Sequence, residues 1–211
     1  MTKVKICGMR SLKDIAIANE AMPDYVGFVF ANSRRQVTST LAKAMRHKLD
    51  PRIKAVGVFV QQPIEQIVEI CEKNIIDVVQ LHGQESLEYV EELKGKIKQP
   101  IIYAKPVFGD KVSSDCLKPD DTEYPVDYYL YDTCVKGVFG GTGVLLNYKA
   151  VPQTGGEFFL AGGLDAENVG DAIRLIHPYC VDASGKLETD GVKDREKILA
   201  FVNAVRKADR R

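Results

Sequence analysis

Several things are missing from this 211-residue sequence, and each absence removes a class of function. Neither sign of charge is in excess, since Lys+Arg and Asp+Glu stand at 29 each. A chain without net charge has no field with which to attract nucleic acid or an anionic membrane surface, so neither is expected as a partner. An anionic ligand must instead be met locally, by a few placed donors. No CxxC pair is present. The five cysteines (Cys7, Cys71, Cys116, Cys134, Cys180) are odd in number and scattered. Together with His47, His82 and His177 they form no zinc-type set of ligands, so no structural metal is expected. No apolar run approaches the length that crosses a bilayer, and the first residues lack the basic and apolar regions of a secretion signal. The expected location is therefore a reducing cytoplasm, with free thiols. No Gly/Ser linker, low-complexity tract or shift in composition interrupts the chain, so residues 1–211 are expected to form one domain, large enough to fold without staples.

What is present is a repeating pattern. Short runs rich in Val, Ile, Phe and Tyr recur at residues 4–7, 25–30, 54–60, 78–81, 100–107, 128–132, 158–161 and 180–183. Several are apolar almost throughout rather than alternating, which is how strands covered on both faces of a parallel sheet read. Helical patterns lie between them. Ser11 with Asp14 makes a capping box, Pro63 suits a first helical turn, and Asp165 is placed to cap the stretch after it. Eight strand–helix units in one domain predict an α/β fold, a single-domain (β/α)8 TIM barrel, rather than an open doubly wound sheet. A barrel of this kind binds ligands at the C-terminal ends of its strands, so the residues just after each run become the candidates.

Those ends are polar and glycine-rich. Strand 1 ends in Cys7-Gly8, and strand 2 runs into Ser33-Arg34-Arg35-Gln36. Strand 4 ends in His82-Gly83, and strand 6 in Asp132-Thr133 ahead of Gly140-Gly141-Thr142-Gly143. Strand 7 ends in Gly162-Gly163, and strand 8 in Asp182-Ala183-Ser184-Gly185. Glycines at a strand end make tight turns, but at strands 7 and 8 together they favour a phosphate cradle of backbone N–H groups. A lone strand cysteine is most often a small core residue. Cys7 differs by being last in its strand, before a glycine, where a thiolate could serve as base or nucleophile. Asp132 shares a face with Leu130 by alternation, hence the barrel interior, where a carboxyl can keep its proton and act as a general acid; the competing reading is a loop-capping Asp. Arg34-Arg35 reads either as a solvated basic turn or as a fork onto a carboxylate or phosphate.

Taken together, these blocks resemble the phosphoribosylanthranilate isomerase family. The resemblance runs from Val4-Lys5-Ile6-Cys7-Gly8 through Val26-Gly27-Phe28-Val29-Phe30, Val56-Gly57-Val58-Phe59 and Val79-Gln80-Leu81-His82-Gly83. It continues with Asp132-Thr133, Gly140-Gly141-Thr142-Gly143, Ala161-Gly162-Gly163-Leu164 and Val181-Asp182-Ala183-Ser184-Gly185. The blocks fall in order from the first strand to the last. The resemblance implies an Amadori rearrangement in tryptophan biosynthesis, with Cys7 as general base and Asp132 as general acid. It further implies that Arg35 holds the anthranilate carboxylate and that Gly162, Gly163, Ser184 and Gly185 bind the phosphate. Asp182 would lie against the sugar, His82 would contact substrate, and the segment around Gly141 would fold over the ligand. The substrate supplies its own electron sink, so no metal and no cofactor is expected. The partner is a small-molecule phosphosugar, and the assembly is a monomer or homodimer.

Two departures from the family pattern stand out. Lys186 occupies the position where a permissive residue is usual after strand 8, and it would strain the loop if its φ were positive. After Gly143 the chain reads Val144-Leu145-Leu146-Asn147-Tyr148 instead of a polar residue followed by an Asp-Trp pair. Lys5 lies on the same strand face as Cys7, one layer deeper, and needs a buried carboxylate partner that the sequence does not name. Other readings are a related phosphosugar barrel and a non-catalytic phosphosugar-binding barrel. The histidine-pathway isomerase type carries Asp in the position of Cys7, while a binding barrel has no reason to keep both Cys7 and Asp132.

Overall fold

The computed structural model describes residues 1–107, 124–133 and 157–209. Cys116, Cys134, Gly141 and the altered segment after Gly143 lie outside the described residues. Eight parallel strands close into a barrel in sequence order: β1 (Lys3–Cys7), β2 (Tyr25–Val29), β3 (Lys54–Phe59), β4 (Val78–Leu81), β5 (Ile101–Val107), β6 (Tyr128–Thr133), β7 (Phe158–Ala161) and β8 (Cys180–Ala183). The described helices are α1 (Leu12–Ala21), α2 (Ser39–Lys48), α3 (Ile64–Glu72), α4 (Leu87–Lys96), α5 (Val169–Ile176) and α6 (Arg195–Ala208). A small hairpin of β9 (Glu188–Thr189) and β10 (Val192–Lys193) intervenes between β8 and α6.

The apolar runs predicted as two-sided strands are buried on both faces. Val4 and Ile6 of β1, Val79 and Leu81 of β4, and Val181 of β8 pack outward against the helices. Val78, Ile102, Leu130, Phe159 and Cys180 fill the barrel interior. Tyr25, Tyr128 and Phe159 stack edge-on near Tyr179 at the N-terminal end of the barrel, so it is plugged at that end. Side chains one step further along the inward rows therefore emerge at the opposite mouth, and these are Cys7, Gln80, Asp132 and Asp182.

Local signals set the helix starts. Ser11 caps α1 by accepting from the Asp14 N–H at 3.1 Å, and Asp14 reaches back to the Arg10 N–H at 2.7 Å. Pro63 stands just before α3 rather than inside it. Asp165 accepts from the N–H groups of Glu167 and Asn168, so it caps a turn, and α5 begins only after Asn168. The plugged end is tied by a repeated device. Asp24, Asp77 and Asp127 each stand just before an even strand and accept the N–H of Val4, Ala55 and Ile101 in the odd strand before it, at 2.7–2.9 Å. Each carboxylate also takes a basic side chain: Arg206 and Lys3, Arg46, and Lys94 respectively.

Candidate active site

At the open mouth the strand ends surround a cavity of about 670 Å³. Cys7, Arg35, His82, Asp132, Gly162, Gly163, Asp182, Ser184 and Gly185 all line it. Nine residues from separate stretches of the sequence are thus brought to one place. Val29, Val58, Val60 and Leu164 add an apolar stretch to the wall, beside polar side chains that include Asn32, Gln61 and Gln80.

Cys7 ends β1 with Gly27 of β2 as its register partner. A Cβ at Gly27 would lie 2.7 Å from the Cys7 sulfur, so glycine is what leaves room for the thiol. Burial pushes the Cys7 thiol up, Lys5 pulls it down, Asp182 adds to the rise and Lys193 opposes it; the balance is upward. Lys5 is wholly buried, and its partner is Asp182, the neighbour across the β1–β8 closure, at 2.6 Å. Burial alone would lower the Lys5 ammonium, but Asp182 and Cys7 raise it above its usual value, while burial pushes the Asp182 carboxyl up against the pull of Lys5. The remaining oxygen of Asp182, Oδ1, is buried without a hydrogen-bond partner. Asp132, the last residue but one of β6, is only 8% exposed, with the His82 Nε2 at 3.4 Å from its Oδ2.

The arginine pair divides. Arg34 is largely exposed and touches Glu188 Oε2 at 3.2 Å, whereas Arg35 turns inward and forks onto Glu188, with Nε to Oε1 at 2.6 Å and Nη2 to Oε2 at 3.0 Å. Lys193 donates to the same carboxylate at 3.1 Å and to the Ser184 carbonyl at 3.0 Å. Ser184 Oγ in turn donates to the Cys7 carbonyl at 3.0 Å. Burial pushes the Glu188 carboxyl up, but Arg35 and Lys193 outweigh it and hold it below the usual range. This ion cluster, carried by the β9–β10 hairpin, is absent from the sequence reading. Gln80, whose amide faces His82 inside the barrel, was given no role there, and Glu85, which accepts from the Gly83 and Gln61 N–H groups and fixes the loop after β4, was not singled out.

Gly162 and Gly163 take φ values of 109° and 63°, a conformation that L side chains rarely adopt, so backbone alone borders the cavity there. After β8 the chain makes one 3-10 turn, Gly185–Leu187. Lys186 is exposed at the rim and has no positive φ, so the strain expected of it is not found. Among the described residues, no three His, Cys, Asp or Glu side chains come together as a metal site would require. Among the same residues no helix is long and apolar enough to cross a membrane.

The sequence and the fold both have counterparts among known proteins. Residues 4–204 match the family model described as N-(5'phosphoribosyl)anthranilate (PRA) isomerase. The N-(5'-phosphoribosyl)anthranilate isomerase of Endomicrobium trichonymphae is 41% identical over 206 residues, covering 98% of this chain and 99% of that one. The crystal structure of phosphoribosyl anthranilate isomerase from Thermotoga maritima superposes with a TM-score of 0.83 at 31% identity, over 98% and 100% of the two chains. A further isomerase structure, in complex with reduced 1-(o-carboxyphenylamino)-1-deoxyribulose 5-phosphate, gives 0.76 at 31% identity over 98% and 100%.

Proposed function

The chain belongs to the N-(5'-phosphoribosyl)anthranilate isomerase family, and on that premise we propose that Cys7 and Asp132 divide the two proton transfers of its reaction. The reaction is an isomerisation in tryptophan biosynthesis, acting on a small phosphorylated substrate. The observation that carries the division of roles is placement: a thiol on β1 and a carboxyl on β6 open into one cavity, between glycine loops and an inward arginine.

Asp132 protonates the ribose ring oxygen. The bond from that oxygen to C1 breaks, leaving a hydroxyl at C4 and an open-chain iminium at C1. The iminium acidifies the C2–H, and the Cys7 thiolate takes that proton while the electron pair moves into C1–C2. The resulting enolamine gives up the proton of its C2 hydroxyl and gains one at C1, becoming the C2 ketone. Exchange with solvent returns Cys7 to thiolate and Asp132 to the acid. Each positioned proton transfer contributes on the order of 10²–10⁴ in rate. Lys5 and Lys193 assist by opposing the rise that burial imposes on the thiol. Gly162, Gly163, Ser184 and Gly185 supply backbone donors for the phosphate. Arg35 takes the anthranilate carboxylate through Nη1, the guanidinium nitrogen that Glu188 leaves free. Asp182 Oδ1 accepts from a sugar hydroxyl, and the valine wall receives the aromatic ring. His82 borders the substrate beside Asp132.

Residues 1–211 act as one catalytic domain in the cytoplasm. The assembly is a monomer or a homodimer, the phosphoribosylanthranilate isomerase of Thermotoga maritima being described as dimeric. Cys7→Ala and Asp132→Asn test the assignment. Each variant is expected to bind the reduced product analogue while losing at least about 10²-fold in turnover, followed as loss of substrate fluorescence. Full turnover by either variant would remove that residue from the mechanism.

A further inference from the structure

Gln80 sits in the inward row of β4, 1% exposed, above Val78 and beside Ile102 of the barrel core. An amide costs free energy in such surroundings unless its hydrogen bonds are made, and an apolar side chain of the same size would fill the space without that cost. Its Nε2 lies 3.0 Å from His82 Nδ1, while its Oε1 is buried and has no hydrogen-bond partner. The other nitrogen of the same ring, Nε2, faces Asp132 Oδ2 at 3.4 Å. That separation is long for a hydrogen bond, and contacts of this kind shorten when a ligand closes the site.

A neutral imidazole carries one proton, and whichever nitrogen accepts a hydrogen bond leaves the other to donate. We propose that Gln80 is a positioning residue acting through His82 on Asp132: its amide donates to Nδ1, holds the ring proton on Nε2, and aims that proton at Asp132. This rests on Asp132 being the general acid. Once Asp132 has given its proton to the ring oxygen, a carboxylate remains in a nearly closed barrel mouth. The Nε2–H then meets the new negative charge at a geometry set in advance, the arrangement in which a donor contributes most to a developing anion. His82 neither gains nor loses a proton in this scheme. The proton that leaves Asp132 ends on the C4 hydroxyl, and the imidazole only stabilises what is left behind. The opposite amide orientation would present Oε1 to an Nδ1–H and turn a lone pair towards Asp132, which would oppose formation of the carboxylate.

The two arrangements differ in a property that can be read on the free protein. In protein labelled with 15N-histidine, ring nitrogen shifts separate the two tautomers, and loss of one set of signals in His82→Gln distinguishes His82 from His47 and His177. Near neutral pH, His82 is expected to carry its proton on Nε2. In Gln80→Met, which fills the same space, the ring should relax to a mixture of tautomers, and kcat should fall about tenfold with KM nearly unchanged. Gln80→Glu offers only acceptors and should move the proton to Nδ1, with a larger loss of kcat. An Nδ1–H ring in the wild type, or a ring unmoved by either substitution, would overturn the proposal, as would a loss confined to KM. The tautomer is observed without turnover, so its failure is distinct from failure of Asp132 as the acid, which the turnover of Asp132→Asn reads.

Discussion

Cys7 concentrates what a residue can reveal and what it hides. Its place at the end of β1 was legible, because a strand that stops in Cys-Gly at the ligand end of a barrel is an unusual setting for a packing cysteine. Its chemistry depends on Lys5, Asp182 and Lys193, which reach it from β1, β8 and β10. No local pattern shows that convergence. The net rise carries a sign that can be tested. A thiol held above its usual value is mostly protonated at neutral pH, so thiolate accumulates only as pH climbs past the range of a free cysteine, about 8.5. Alkylation by iodoacetamide, corrected with Cys7→Ala for the other thiols, should keep accelerating above that pH, and kcat/KM should rise along the same limb. A rate already level below pH 8 would mean that the lysines outweigh burial. Arg35 teaches the complementary lesson. The Arg34-Arg35 pair left a solvated turn and an anion fork both open, and in the structure both reach Glu188, Arg34 by one contact from an exposed position and Arg35 as the two-pronged fork.

Among elements, the strands were the most legible, because an apolar run covered on both faces leaves a signal at every position. Their observed bounds differ from the predicted ones by a residue or so at the ends. The β9–β10 hairpin was missed, since two-residue strands carry no periodicity. A signal did exist. Asp190-Gly191 takes φ values of 51° and 75°, both positive, as a two-residue hairpin turn requires and as Asp-Gly commonly supplies. The hairpin matters because it brings Glu188 and Lys193 under the guanidinium of Arg35. If Glu188 orients that guanidinium, Glu188→Gln should raise KM about tenfold or more and leave kcat less affected, as steady-state kinetics would show. A lower KM would instead mean that Glu188 competes with the substrate carboxylate. The start of α5 also escaped the sequence reading. Asp165 does cap, but it caps a turn, because its carboxylate is already occupied by the N–H groups of Glu167 and Asn168.

The whole molecule separates stability from chemistry by its two ends. At the plugged end, aspartates before β2, β4 and β6 fasten neighbouring strands and helices. At the open end, buried charges face a cavity. Lys5 and Asp182 belong to both tasks, since they bridge the seam between the first and last strands and stand beside the thiol. The need for a carboxylate near Lys5 was foreseen, but naming it required the register of β1 on β8, which sets Lys5 opposite Asp182. Lys5→Met leaves the buried Asp182 without its cation and should cost about 3–5 kcal/mol of unfolding free energy in urea. A loss under about 1 kcal/mol would show that Asp182 is neutral and the pair unimportant to closure.

The division of proton transfers is tested most directly by substrate carrying deuterium at ribose C2, turned over by Cys7→Ser and Asp132→Asn. Weakening the base should make C2 deprotonation limiting, so Cys7→Ser should show a pronounced isotope effect. Weakening the acid should make ring opening limiting, so the effect in Asp132→Asn should fall close to unity. The reverse pattern, with the effect in Asp132→Asn and none in Cys7→Ser, would contradict the assignment of base to β1 and acid to β6.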